Sequence, residues 1–109
     1  MVTAFEKKVY NAIKHIPKGK VTTYAAVARA IKNPRSGRAV GNALNKNPFN
    51  KKDVPCHRVV CSDGRAGGYA GGESQKIVRL RREGVRVEKG RVSLAKYFWF
   101  PWKKKMFLK

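Results

Sequence analysis

Apolar side chains near the start of the chain recur at helical spacing: Phe5, Val9, Ala12, Ile13 and Ile16 fall on one face. The spacing predicts an amphipathic helix. Thr3 is placed to cap it, Glu6 three residues on completes a capping box, and Pro17 and Gly19 end it. "VTTYAAVARAIKN" predicts a second helix, capped by Thr22 or Thr23, with Ala26, Val27, Ala30 and Ile31 turned inward and Pro34 as its stop. "SGRAVGNALNKN" predicts a third, short helix that starts near Ser36 and ends before Pro48. A helix, a short turn and a helix of small residues make a helix-turn-helix candidate, although an ordinary helical hairpin fits the same spacing.

Beyond Asn47 the pattern changes. "NPFNKKDVP" has loop composition, and "HRVV" is a short β-like run closed by the turn "SDG". "GRAGGYAGG" holds five glycines in nine residues, which predicts a loop with unusual backbone angles or a close approach to something else. "ESQKIVRLRREG" predicts a helix with Ile77, Val78 and Leu80 as its apolar residues and Gly84 just past its end. "VRVEKGRVSL" alternates about "EKG" and predicts a β-hairpin. The tail "KYFWFPWKKKMFLK" is aromatic and then basic. Its aromatic rings are expected to close the core, with a nucleic-acid stacking surface as the alternative.

Composition narrows the function classes. The 109 residues fit one domain with a modest core, and 42% hydrophobic content is too high for a disordered chain. No apolar run approaches the roughly 20 residues of a membrane span, and "MVTAFEKKVY" has no signal-peptide character, so an intracellular, cytoplasmic location is expected (nuclear in a eukaryote). Lys and Arg total 26 against 6 acids, a formal net charge of +20, and no acid occurs between Lys7 and Lys52. Self-repulsion on that scale calls for a polyanionic partner. Nucleic acid fits best and tips the helix pair toward DNA binding. A membrane surface fits poorly, because the basic residues are spread along the chain.

Two cysteines, Cys56 and Cys61, carry the candidate chemistry. In a reducing compartment they do not argue for a disulfide scaffold. "DVPCHRVVCSDG" leaves three readings for Cys56: a structural thiol, a metal ligand or a nucleophile. A structural zinc site usually supplies two close ligand pairs, and only His57 and His15 could join the cysteines. Cys61, after two valines, fits a buried inert thiol. Cys56 follows a proline and precedes His57 and Arg58. Basic neighbours favour its thiolate, and a histidine in reach acts as base directly or through one water. A third group must orient that base, and residue reasoning does not choose among Glu6, Asp53, Asp63, Glu73, Glu83 and Glu88.

"PCHRVV" resembles the active-site signature of the O6-alkylguanine-DNA alkyltransferases, also called methylated-DNA–protein-cysteine methyltransferases. "GKVTTYAAVARAI" resembles the start of that family's helix-turn-helix, "RAVGNALNKNP" its recognition helix and asparagine hinge, "GGYAGG" its active-site loop, and "KIVRLRREG" the helix that follows. The resemblance runs from about Ala4 to Gly84, with its motifs in order. It implies that Cys56 accepts the alkyl group, that His57 activates it through a water, and that Glu83 orients His57. It implies that Tyr24 bonds the guanine ring and helps neutralise it as a leaving group. Arg38 would enter the DNA stack in place of a flipped nucleotide, on a helix whose small residues Ala39, Gly41 and Ala43 let it approach the minor groove, with Asn42 and Thr23 as further DNA contacts. Asn47 would be the hinge, Tyr69 would line the alkyl pocket, and Val54, Pro55 and Ala70 would complete it, the Val54 carbonyl and the glycine-loop amides contacting the base. No cofactor or metal is implied.

The chain departs from the family where many members have serine and it has Ala70, which would weaken a base contact. Many members also carry an additional N-terminal domain. The short form resembles the alkyltransferase-like proteins, which bind damaged DNA without repairing it but lack the cysteine that is present here as Cys56. The expectation is a mainly α domain with short β-hairpins and a winged-helix-like helix-turn-helix, residues 1–109 forming one unit. It would act as a monomer on double-stranded DNA containing O6-alkylguanine, each molecule reacting once. A lesion-binding module without transfer, and an architectural or transcription-factor domain, are the rival readings.

Overall fold

The computed structural model describes residues 2–48, 53–69 and 72–101. Helix α1 spans Ala4–Ile13 and opens on the expected capping box, in which the Glu6 amide donates to Thr3 Oγ1 at 3.0 Å and the Thr3 amide donates to Glu6 Oε1 at 2.9 Å. The helix ends at Ile13, earlier than Pro17. The Ile16 amide bonds the Ile13 carbonyl at 3.0 Å, and this turn brings Ile16 into the core without further helix. Helix α2 spans Tyr24–Ala30 and is capped by Thr23, whose Oγ1 accepts from the Ala26 amide at 3.0 Å. Its buried residues are Ala26, Val27 and Ala28; Ala30 and Ile31, expected inward, are only partly buried because the helix stops at Ala30.

Helix α3 spans Gly37–Asn45. It buries Val40, Ala43 and Leu44 and exposes Arg38, Ala39, Asn42 and Asn45, as a 3.6-residue period requires. The buried Tyr10 hydroxyl donates to the Ala43 carbonyl at 2.7 Å and ties α1 to α3. Helices α1, α2 and α3 share one apolar cluster, with α2 and α3 as the helix-turn-helix pair.

The β structure corrects the expectation of hairpins alone. Among the described residues one hairpin is present, β3 (Val87–Glu88) with β4 (Arg91–Val92), turned through Lys89 and Gly90 at φ 53° and 75°, the left-handed angles that a two-residue loop of this hand requires. The other pair is parallel: β1 (Thr22–Thr23) lies beside β2 (Val59–Val60), Thr22 opposite Val59 and Thr23 opposite Val60. On the far side of β1, Val21 donates to the Tyr97 carbonyl at 2.9 Å and accepts from the Trp99 amide at 2.7 Å. Tyr97 ends helix α5 (Leu94–Tyr97) and packs on the second apolar cluster, and Trp99 packs on the first, so these two rings close the core as expected, whereas Phe100 is 57% exposed. Adjacent residues of β2 point to opposite faces: Val59 enters the cluster of α1–α3, and Val60 enters a second cluster with Val21, Leu80, Val85, Val87 and Val92.

Helix α4 (Glu73–Arg82) ends in a Schellman motif. The Val85 amide reaches the Leu80 carbonyl at 3.0 Å, the Gly84 amide reaches the Arg81 carbonyl at 3.0 Å, Gly84 sits at φ 89°, and Leu80 and Val85 are both buried. Helix α2 ends the same way. Asn33 bonds Ala28 at 2.9 Å and Lys32 bonds Arg29 at 3.0 Å, but the left-handed position, φ 62°, is held by Lys32. An L-residue there costs about 1–2 kcal/mol, which glycine avoids, offset in part by glycine's greater freedom in the unfolded chain. Lys32→Gly is expected to raise the unfolding free energy by about 0.5–1 kcal/mol, read from the urea midpoint at unchanged slope. A lower midpoint would mean that the Lys32 side chain contributes more than its backbone strain removes.

Candidate active site

The cysteine lies on a single 3-10 turn, Cys56–Arg58, directly before β2. The Cys56 amide bonds the Val54 carbonyl at 2.8 Å, and Asn47 Nδ2 donates to the same carbonyl at 3.2 Å. Asn47 thus pins the turn to the end of α3, the position expected of a hinge. The Val54 carbonyl, expected to contact a base, instead has both acceptor positions occupied within the protein. Pro55 is buried before the turn, and Cys56 itself is 7% exposed.

His57 is buried, and its Nε2 is 3.0 Å from Glu83 Oε2. Glu83 occupies the C-cap of α4, so the Schellman turn at Gly84 fixes the direction of its carboxylate. With Nε2 donating to Glu83, Nδ1 presents a lone pair, and this buried atom has no hydrogen-bond partner among the described residues. Burial is the main force lowering the His57 pKa below its usual range, against the pull of the Glu83 hydrogen bond, so the ring is a neutral base at neutral pH. Burial alone would raise the Glu83 pKa, but its bonds to Arg58 and His57 outweigh that and hold it low. Among the acids that residue reasoning left open, Glu83 is the one brought to His57.

A second polar cluster forms around Tyr24, the first residue of α2. Lys76 Nζ donates to Tyr24 Oη at 3.1 Å and to the Gly68 carbonyl at 3.1 Å, and its side chain is fully buried. Sequence reasoning missed Lys76. The available signal was a lysine one turn before Leu80, on the apolar face of α4. Burial pushes the Lys76 amine down to about 8 and, helped by the two nearby thiols, pushes the Tyr24 phenol up to about 12. Cys61, expected as a buried inert thiol, is half-buried and faces this cluster. A Cβ on Gly67, at φ 83°, would lie 3.1 Å from Cys61 Sγ and 3.2 Å from Tyr24 Oη, so the glycine loop closes over both.

In front of Tyr24 opens a cleft of about 340 Å³ whose walls are Tyr24, Gly68 and the outer face of α3: Gly37, Arg38, Gly41, Asn42 and Asn45. The expected DNA-contact residues Arg38, Gly41 and Asn42 therefore share one opening with Tyr24, and Ala39 is exposed on the same helix. Asn45 was not foreseen, although it continues the spacing of Arg38 and Asn42. Thr23 does not belong with them: it is 5% exposed and its hydroxyl caps α2, so it positions Tyr24 and does not reach toward a ligand. Tyr69 is half-buried against the apolar cluster of α1–α3. Ala70 lies outside the described residues. No helix among the described residues is long and apolar enough to cross a membrane.

Residues 4–85 match the family described as 6-O-methylguanine DNA methyltransferase, DNA binding domain. A methylated-DNA–protein-cysteine methyltransferase of Methanosarcina acetivorans is 48% identical over 82 residues, covering 75% of this chain and 52% of that protein. The crystal structure of S. pombe Atl1 in complex with damaged DNA containing O6-carboxymethylguanine superposes with a TM-score of 0.76 at 37% identity, covering 87% of this chain and 94% of that one. Mycobacterium tuberculosis OGT in complex with DNA superposes with a TM-score of 0.73 at 38% identity, covering 77% and 51%. The chain spans about half the length, or less, of the curated relatives it matches.

The buried amine gives a pH signature of known sign. Lys76 binds its proton less tightly in the folded chain than unfolded, so from about pH 8 to 10 the unfolded chain holds the extra proton and folding gains stability as pH rises. Below that window the cost of the buried charge is present in full. The stability advantage of Lys76→Met over wild type should therefore shrink by roughly 2 kcal/mol between pH 7.5 and pH 10, measured by urea unfolding of both proteins. Parallel curves would mean that the amine is solvated.

Proposed function

The chain belongs to the family of the 6-O-methylguanine DNA methyltransferase DNA-binding domain, and from that premise we propose that it removes alkyl groups from O6-alkylguanine in double-stranded DNA by irreversible transfer to Cys56. The observation that carries this reading is the state of His57. Its Nε2 is committed to Glu83 at 3.0 Å, its Nδ1 is left as an acceptor, and it directly follows a buried cysteine. In this reading the chain is the C-terminal, active-site domain of an alkyltransferase, one unit over its whole length.

The steps follow from the residues. Helix α3 enters the minor groove with its small residues against the duplex, and Arg38 fills the space of the nucleotide that is turned out into the cleft. His57 Nδ1 takes the Cys56 thiol proton through a water, and Glu83 stabilises the imidazolium that results. The thiolate attacks the alkyl carbon, the bond from that carbon to O6 breaks, and its electron pair stays on the guanine. Tyr24, a phenol that keeps its proton, donates to the ring as that charge develops. The C–S bond of the product thioether resists acid–base hydrolysis, so each molecule reacts once. Asn47 and Tyr69 hold the turn and line the alkyl side of the pocket.

A lesion-binding role without transfer is favoured by one observation, the 94% coverage of the Atl1 chain. The presence of Cys56 beside His57 supports transfer over it. Intact mass decides: incubation with O6-methylguanine duplex should add one methyl group to wild type and to Cys61→Ser, and none to Cys56→Ser, which should still bind DNA. Wild type that binds the lesion and keeps its mass would establish the binding-only role. Methyl mapped to Cys61 would overturn the site.

Arg38 separates a flip from a phosphate contact. Arg38→Ala should slow transfer from duplex by roughly ten- to a hundred-fold, about 1.4–2.8 kcal/mol of lost support, and barely change reaction with free O6-alkylguanine base, which needs no flipping. Equal slowing with both substrates would assign Arg38 to the pocket or the fold.

A further inference from the structure

Glu83 is shared between two partners. While His57 Nε2 lies at 3.0 Å from Oε2, Arg58 holds both oxygens, Nε to Oε1 at 2.8 Å and Nη2 to Oε2 at 2.5 Å. The third arm of the guanidinium, Nη1, donates to the Ile16 carbonyl at 2.8 Å. Arg58 therefore fills three donor positions in a fixed plane and spans two elements, the end of α4 and the turn after α1. The Arg58 and Glu83 side chains are only 15% and 14% exposed, so solvent screens this pair weakly.

A histidine bonded to a carboxylate that no cation shares is drawn toward imidazolium, and an imidazolium cannot take a thiol proton. The charged groups acting on His57 are Glu83 at the C-cap of α4, Arg79 of α4 and Arg58 of its own turn; the turn after α1 contributes the Ile16 carbonyl through Arg58. Of the cations, only Arg58 touches the carboxylate. We propose that Arg58 is a positioning residue for the base: by bracketing Glu83 it aims the carboxylate at Nε2 and offsets its charge, so that His57 stays hydrogen-bonded yet neutral. This rests on the reading of His57 as the base. Burial is the main force lowering the His57 pKa; among the charges around the ring, Glu83 favours its protonation and Arg58 opposes it.

The test is an NMR titration of the His57 ring, with His15 replaced by Gln to leave one signal, alongside the pH profile of single-turnover transfer from free O6-alkylguanine base. Arg58→Met should raise the His57 midpoint by about one pH unit, the lower end of what an adjacent charge produces. The acid limb of transfer should move with it, so that the rate falls several-fold at pH 6 and hardly at pH 8. In a Glu83→Gln background the same substitution should move the midpoint much less, because Arg58 acts through the carboxylate. An unmoved midpoint overturns the proposal. So does an equal shift in both backgrounds, the mark of a site that has merely loosened. Should Arg58→Met fail to fold, Arg58→Lys, which keeps the charge and loses the fork, should shift the midpoint about half as far, and no shift there is equally fatal. If the midpoints behave as expected while wild type transfers no alkyl group, the transfer reading falls and the role of Arg58 toward His57 stands.

Discussion

Two parallel pairs, Thr22 with Val59 and Thr23 with Val60, join parts of the chain that are otherwise far apart. Tyr24 follows one of these strands directly, and the cysteine turn directly precedes the other. The phenol at the head of α2 and the thiol on its turn are therefore positioned by one ladder. The ladder is held from both faces, since Val59 and Val60 enter different apolar clusters and neither valine is exposed. Side-chain burial on two faces, more than the hydrogen bonds of a two-residue ladder, fixes the register, because a slip by one residue would exchange the clusters that the valines occupy.

Around that ladder the protein buries charge deliberately. His57, Arg58, Glu83 and Lys76 all lie at or near the interior, where each unpaired group would cost several kcal/mol. Three of them satisfy one another through Glu83. Lys76 is the exception: its donors meet a phenol and a carbonyl and no carboxylate, and its amine loses proton affinity accordingly. Two polar clusters thus flank the cysteine turn with opposite electrostatic character. One is anchored by a carboxylate that a guanidinium and a neutral imidazole share, and the other holds a cation that no carboxylate touches.

What could be read from the sequence was local. The capping box of Thr3 and Glu6, the glycine after α4, the "EKG" turn and the amphipathic faces of α1 and α3 follow from neighbours within a turn or two, and the structure has them. The parallel strands were missed because two residues carry no period and their partners are distant in the chain. The same limit applies at the site. Residue reasoning could name Cys56 and His57, which are adjacent, but could not choose Glu83 among six acids without the family resemblance. It gave no hint of the bracket formed by Arg58, whose partners lie on two other elements. Thr23 and the Val54 carbonyl were assigned outward roles because their inward hydrogen bonds depend on capping and turn geometry that exist only in the folded chain.

The cation that no carboxylate touches has a bearing on what the cleft accepts. Lys76 touches Tyr24 and Gly68, and both of those line the opening. Field from a buried ammonium reaches a ligand there through protein, where it is weakened far less than through water. The cleft is thus biased by sign before it is biased by shape: a ligand bearing positive charge meets repulsion from an ammonium that no carboxylate touches and that Glu73 offsets only from a distance, while a neutral or anionic one of equal size meets none. Discrimination of that kind originates behind the wall of the cleft and leaves its volume untouched.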